Sequence, residues 1–417
     1  MKKTLIATAV TSLLLSGALS ATQIYTDKGT TVSIGGNIAL GVTGGDVIKA
    51  QTAKTPSAKA DSMTSEYQTR VDEDSPRINV EATHELGNGF KAEAKGEWEM
   101  NTTKGGAASF TTRLGYIGID HATFGRAVIG TQYSPYYDVR GVADMPIWFD
   151  SDAADQNQGN LGTQRADRMV SYRKGFALGS RVKLYFGLGW QGKHAETVDN
   201  TAKSPTPPTP EKVSNEYYSR GQGEISASAF GVTLGFAGTK GEVYYEGKQP
   251  VATKYKNNDA VSNIVSLKYG QYGRGLYVAG VYARNEYMNR LLDENGIEMP
   301  YSNFYNILKK STTTEAIIAY ALPNSLNFSI NYEVLNGEAP DATMPAGVEN
   351  KKKNIRSEAA FQVEYHVMPS VALFTGYQAD LGGYSMEIPA VATDPSKWNK
   401  KERNKNNQYV IGAQVSF

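Results

Sequence analysis

The chain has 417 residues with 43 basic and 42 acidic side chains, a net charge of +1, and no cysteine. A balance this even gives no electrostatic basis for nucleic acid as the main partner, and the missing thiols exclude a disulfide framework and thiolate chemistry. Mean hydropathy is −0.43. After the first twenty residues no apolar run reaches the ~18 a spanning helix needs, which excludes a helical membrane protein but not a membrane barrel.

At the start, Lys2 and Lys3 precede a short apolar run over 5–15, then Ala18, Leu19 and Ser20. That is the pattern of a secretory signal peptide over 1–20, cut after Ser20 and too short to span a membrane. The remainder, 21–417, shows no composition break and reads as one domain. Its only low-complexity stretch, over 204–210, is Pro/Thr-rich and lies between alternating segments, as a surface-loop insertion would.

Sixteen segments of alternating apolar and polar residues follow. They lie at about 30–43, 75–86, 90–100, 110–120, 125–133, 165–173, 180–191, 215–229, 232–246, 261–270, 275–284, 312–322, 325–335, 355–367, 370–380 and 407–417. In one of the clearest, Phe361, Val363, Tyr365 and Val367 alternate with Gln362, Glu364 and His366. In the third, Lys91, Glu93, Lys95, Glu97 and Glu99 share a face opposite Phe90, Ala92, Ala94 and Trp98. Period two means strand. One oily and one charged face, repeated without a helical stretch between, fits an all-β fold: a closed antiparallel transmembrane β-barrel with lipid outside and water inside.

The connections alternate in length. Short ones fall at 87–89, 121–124, 174–179, 230–231, 272–274, 323–325 and 368–370, most with the Gly, Pro or Asn of tight turns. Long polar ones fall at about 44–74, 101–109, 134–164, 192–214, 248–260, 285–311, 336–354 and 381–406. Short turns at one end and long loops at the other are how outer-membrane barrels are built. Sixteen strands make a barrel too wide for side chains to fill, so it should hold an aqueous channel. Tyr (26) outnumbers Phe (13), which suits aromatic girdles at two lipid–water interfaces.

The middle third resembles the general, non-specific trimeric porins of Gram-negative outer membranes. Thr112-Arg113-Leu114-Gly115-Tyr116-Ile117-Gly118, Gly130, Tyr137-Asp138, Gly141-Val142-Ala143-Asp144-Met145 and Ser171-Tyr172-Arg173 carry the likeness. Ile24-Tyr25-Thr26-Asp27-Lys28-Gly29 and Val415-Ser416-Phe417 extend it to both ends. The resemblance implies short periplasmic turns, long external loops and a third loop, 134–164, folded into the lumen. It implies loop acids Asp138, Asp144, Asp150 and Asp152 facing wall bases Arg77, Arg113 and Arg165; the loop also holds Asp155 and Arg140. Two departures stand out. Asn37 occupies the place of a wall lysine, and the loop glutamate is unmatched, which leaves two alternatives: Asp150 replaces that acid, or Trp148 narrows the opening sterically. The second loop, which latches neighbouring subunits in that family, is short.

The function expected is passive diffusion of ions and small hydrophilic solutes through the outer membrane, filtered by size and charge. The expected partners are two further copies in a homotrimer, outer-membrane lipid and lipopolysaccharide, and the barrel-assembly machinery, which reads Phe417. The trimer contact should use outward residues Ile34, Ile38, Leu114, Tyr116 and Val128. Rival readings are a sugar- or anion-specific channel, a barrel enzyme and an adhesin. The aromatics on strands lie mostly on the oily face, which argues against a sugar slide. Lys91 and Lys95 are balanced by three glutamates on their own strand, which argues against an anion channel. His84, His121, His194 and His366 are scattered, with no metal-ligand spacing or catalytic constellation. No enzyme activity, metal or cofactor is expected.

Overall fold

The computed structural model describes residues 21–49, 64–105, 110–154, 158–200, 211–245, 258–292, 307–338, 352–386, 400–402 and 405–417. Sixteen antiparallel strands close into a barrel. In chain order they are β1 (Thr30–Lys49), β2 in two pieces (Thr64–Glu73, Arg77–Gly87), β3 (Phe90–Glu99), β4 (Thr111–His121) and β5 (Gly125–Tyr133). Next come β6 (Arg165–Leu178), β7 in two pieces (Val182–Gln191, His194–Asn200), β8 (Glu211–Ala229), β9 (Val232–Tyr244), β10 (Asn258–Gln271) and β11 (Arg274–Glu286). The ring ends with β12 (Lys310–Ala321), β13 (Leu326–Glu338), β14 (Lys353–Met368), β15 (Val371–Gly382) and β16 (Gln408–Ser416).

Closure is made at β1. β16 runs beside it from Asn37↔Ser416 to Gly45↔Gln408. An N-terminal segment, Thr22–Asp27, continues along the same edge from Thr22↔Ile34 to Asp27↔Thr30, so it prolongs β16. At the junction Gly36 N donates to Phe417 O (2.9 Å) and Phe417 N to Gly36 O (3.0 Å). A Cβ on Gly36 would stand 2.4 Å from the Arg77 carbonyl oxygen and 2.7 Å from the Phe417 ring, so only glycine fits this seam. Among the described residues, closure gives every strand of the ring a neighbour on both sides, the condition for a sheet in lipid.

Burial is inverted relative to a water-soluble protein. Across β13 and β14, Ile330 pairs with Phe361, and the two are 55% and 46% exposed. Asn331 and Gln362, one residue along, and Glu333 and Glu364, three along, are buried. The oily residues form the outside, and the polar ones face the lumen. Most short turns fall where the sequence places them. Asn88-Gly89 and Phe230-Gly231 both have positive φ at each residue, the two-residue geometry that suits the strand twist.

Four expectations are corrected. The strands reach further than the alternation: β6 runs to Leu178, so its turn begins after 178 rather than at 174. β2 begins at Thr64, with a break at 74–76, where a long loop was expected. Thr22–Asp27 is strand, because it folds back on β1 as a hairpin through Lys28 and Gly29. Lastly, Leu114, Tyr116 and Val128 do not face outward. Trp98 pairs with Thr112 and Glu97 with Leu114, so Arg113 is an extra residue in a bulge. The bulge reverses the parity of β4: Leu114 is buried, the Tyr116 hydroxyl accepts from Arg126 inside (3.3 Å), and Ile117 and Ile119 take the outer face. In β5, Val128 is buried while Ile129 is exposed.

Candidate functional site

The third loop leaves β5 at Ser134, whose side chain accepts from Tyr137 N (3.1 Å) and caps a short helix, α1 (Pro135–Arg140). Pro135 opens the helix, where no N–H is needed. A second short helix, α2 (Gln158–Leu161), precedes the return to β6. Ser134 N donates to Gln164 O (2.8 Å) and closes the neck of the loop.

Between these helices the loop crosses the lumen and is held by side chains of the opposite wall. The Tyr136 hydroxyl meets the Ser262 hydroxyl of β10 (2.7 Å), and the Tyr277 hydroxyl of β11 donates to Val142 O (2.6 Å). Further on, Ile147 N donates to Glu364 (3.0 Å), while Trp148 N and Phe149 N share Gln362 (3.3 and 3.2 Å). Asp152 N and Ala153 N share Glu333 (3.0 and 3.1 Å), and Ala154 N donates to Glu315 (2.9 Å). This segment has no sheet partner for its N–H groups, so wall side chains on β12, β13 and β14 must accept them. The apex adds apolar contact: Trp148 stacks on Phe374 of β15 (5.4 Å), and Phe149 clusters with Ala39, Ala360, Phe374 and Val410.

The acids expected at the opening divide by environment. Asp138 pairs with Arg173 of β6 (2.6 Å); burial raises its carboxyl from the ordinary value and Arg173 opposes that rise. Asp144 accepts from the Tyr137 hydroxyl (2.6 Å), Arg140 (2.6 Å) and Gln164 (3.4 Å), and its side chain is only 8% exposed. It is a fastening of the loop. Arg140 is wholly buried, reaching Asp144, Glu315 (3.3 Å) and the Ser151 carbonyl. Asp152 is exposed and pairs with Arg356 of β14 (2.5 Å). Asp150 is exposed to lumen water. Confinement inside the barrel, then neighbouring Asp144 and Asp74, hold its carboxyl well above the usual range. Asp155 lies outside the described residues.

Two of the wall bases, Arg113 and Arg77, are paired with wall acids. Arg113 lies between Glu97 (3.0 Å) and Glu99 (2.8 Å) of β3 and is nearly buried. Arg77 stands 4.0 Å from Glu97 and opposite Asn37 across β1 and β2. Arg165 donates to Gln158 of α2 (2.9 Å), so it also steadies the neck of the loop. The sequence reading missed Asp74, which sits at the break in β2 within electrostatic reach of Arg77, Arg113 and Asp144. Its signal was the acidic run Asp72-Glu73-Asp74. It also missed the role of Glu315, Glu333, Gln362 and Glu364, readable as inward polar positions but not as acceptors for a loop.

The second loop is bound to its own barrel. Thr102 N and its hydroxyl donate to Glu73 (2.5 Å each), and Thr103 N joins them (3.1 Å).

The family model of Gram-negative porins matches residues 7–382. The chain belongs to this family. It is similar to outer membrane porin N of Escherichia coli strain K12, at 22% identity over 392 residues, covering 91% of this chain and 93% of that one. Among solved structures, Salmonella typhi OmpF in complex with daunomycin shares the fold, with a TM-score of 0.65 at 16% identity over 95% of this chain and all of that one. So does the trimer form of Vibrio cholerae OmpT, at 0.55 and 14% over 93% of this chain and all of that one. As a porin of the bacterial outer membrane, the chain forms a passive diffusion channel. Family and relatives point to a channel rather than an enzyme.

Proposed function

We propose that loop 3 is the filter of this porin, passing ions and small hydrophilic solutes by size and charge with a mild preference for cations. One observation carries the reading: a loop pinned across the lumen presents Asp150 to water, while Arg77 and Arg113 opposite it already have wall glutamates as partners. The uncompensated charge at the opening is therefore acidic. Water keeps the dielectric high, so the preference is on the order of a few-fold. Reversal potentials in a salt gradient test this. Asp150→Asn should lower the cation preference, and Arg113→Ala, which frees Glu97 and Glu99, should raise it along with conductance. Anion preference in the native channel, or no response to either change, would refute the filter.

The porin assembles as a homotrimer in this reading. On the outer face of β2 to β5, Ala82, Ala92, Ala94 and Ala127 lie among Ile117, Ile119 and Ile129 and line a shallow depression of about 670 Å³. The rest of the outer face carries bulky side chains such as Trp190, Phe236, Tyr320 and Tyr377. Small residues allow another protein surface to approach closely. The Ile34 and Ile38 positions of β1 border this sector. Purified protein should conduct in three equal steps; single steps from a monomer after mild extraction would sink the trimer. Residues 1–20 lie outside the described residues and serve as the export peptide, with 21–417 as the barrel domain. Lipid and lipopolysaccharide surround it, and Phe417 addresses it to the assembly machinery.

A further inference from the structure

We propose that Tyr272 is a positioning residue for the constriction, a prop that reaches up from a short turn and bears the apex of loop 3. Tyr272 lies in the two-residue turn between β10 and β11, at the periplasmic end. Its side chain turns into the lumen. The hydroxyl donates to Glu364 (3.0 Å), on the same Oε1 atom that accepts Ile147 N of the loop (3.0 Å). Gln362 donates to that oxygen too (2.8 Å), and Asn327 to the other (3.3 Å). His366 lies 3.5 Å from Glu364, towards the turn. The Tyr272 ring packs edge-on against Tyr277 (5.8 Å, 87°), whose hydroxyl holds Val142 O (2.6 Å). With Met145 it packs against the cluster of Tyr136, Val139, Val142 and Ala143. Two tyrosines thus bracket the stretch 142–147, one joined to it directly and one through a shared carboxylate.

Direction follows from charge. Loop 3 carries Asp138, Asp144, Asp150 and Asp152 against Arg140. A potential positive on the periplasmic side pulls such a loop towards the short turns, onto Tyr272. The opposite potential pulls it away from the prop, against the bonds to β12, β13 and β14. Removing the prop should therefore make closure depend on the sign of the voltage.

The test is single-channel recording of the full porin inserted with known orientation, at both polarities. The proposal rests on loop 3 being the constriction. Tyr272→Phe, which loses only the hydroxyl, should raise the closed-to-open ratio about tenfold when the periplasmic side is positive, the scale of a hydrogen bond to a charged acceptor. It should leave the other polarity unchanged. Tyr272→Ala should exceed it. Should the alanine variant not fold, the phenylalanine variant decides alone. Native closing behaviour in Tyr272→Phe, or an equal rise at both polarities, would overturn the prop. The filter reading fails separately, on an Asp150→Asn channel with native selectivity.

Discussion

Arg140 is the place to test whether loop 3 is fastened by charge. Its side chain has no exposure, and it ties Asp144 of its own loop to Glu315 of the wall, itself fully enclosed. Arg140→Met keeps much of the volume but leaves the Glu315 carboxylate buried without its cation. Breaking such a pair by removing one partner costs about 3–5 kcal/mol, or roughly 150- to 5,000-fold in the ratio of docked to undocked loop. The other wall bonds, from Ile147 N to Ala153 N, remain, so the barrel should still fold. The loop should loosen between Ser151 and Ala154. In liposome swelling with sugars of graded size, the exclusion limit should rise, and single channels should become noisy. Glu315→Gln added to Arg140→Met removes the stranded charge and leaves an amide oxygen for Ala154 N. The double variant should therefore recover most of the native exclusion limit, a strong departure from additivity. A native limit in Arg140→Met, or a double variant worse than the single one, would refute the reasoning.

Four further outcomes are expected. Because Asp150 takes up its proton above the usual carboxylate range, acidification from neutral should weaken cation preference before an ordinary carboxylate would titrate. Reversal potentials against pH should show that step, and Asp150→Asn should abolish it. The same shift means that ionising Asp150 as pH rises costs folding stability, so Asp150→Asn should be more stable than native at alkaline pH in thermal unfolding. Glu73→Ala should free the second loop from Thr102 and Thr103, exposing 101–105 to protease while the trimer persists on gels; loss of the trimer would show that this loop holds subunits together. Deleting Phe417 removes both bonds to Gly36 at the seam and should cut folded protein in the outer membrane far more than synthesis.

What the sequence showed depended on how unlike the two faces of a strand are. β13 and β14 were legible because Ile330 and Phe361 meet lipid while Asn331 and Gln362, one residue on, meet the lumen. β4 was misread at Leu114 and Tyr116 because one bulged residue, Arg113, reverses a period of two, and nothing in the local string marks the bulge. In β5, Val128 and Ile129 are both apolar, so alternation cannot say which faces out. Thr22–Asp27 pairs locally with Thr30–Ile34 across the Lys28-Gly29 turn, but its six residues, all exposed, show no alternation between an apolar and a polar face. At the site, the course of loop 3 came from resemblance. Periodicity placed Glu333 and Glu364 inward, but an acceptor's role depends on which N–H a distant loop brings, and that is a property of the closed barrel.

The structure separates the charges that hold the loop from those left exposed to the lumen. Arg140, Asp144, Glu315, Glu333 and Glu364 are enclosed, and each is bound to a loop or wall group. Changing one leaves a buried partner unsatisfied, which is costly. The wall bases Arg113, Arg126 and Arg356 have acids of the wall beside them, at Glu97 and Glu99, Glu93, and Glu333 and Glu358. Charges paired so closely largely cancel beyond a Debye length of about 8 Å at physiological salt. An ion in mid-channel therefore responds chiefly to the exposed remainder, of which Asp150 is the clearest member. Replacing Asp150 costs Asp144 one contact but leaves it the bonds from Tyr137, Arg140 and Gln164, so Asp150→Lys should move selectivity towards anions while keeping the exclusion limit of the native porin. The swelling assay and the reversal potential read these two properties independently. A change in both from Asp150→Lys alone would show that fastening and filtering share the same residue after all.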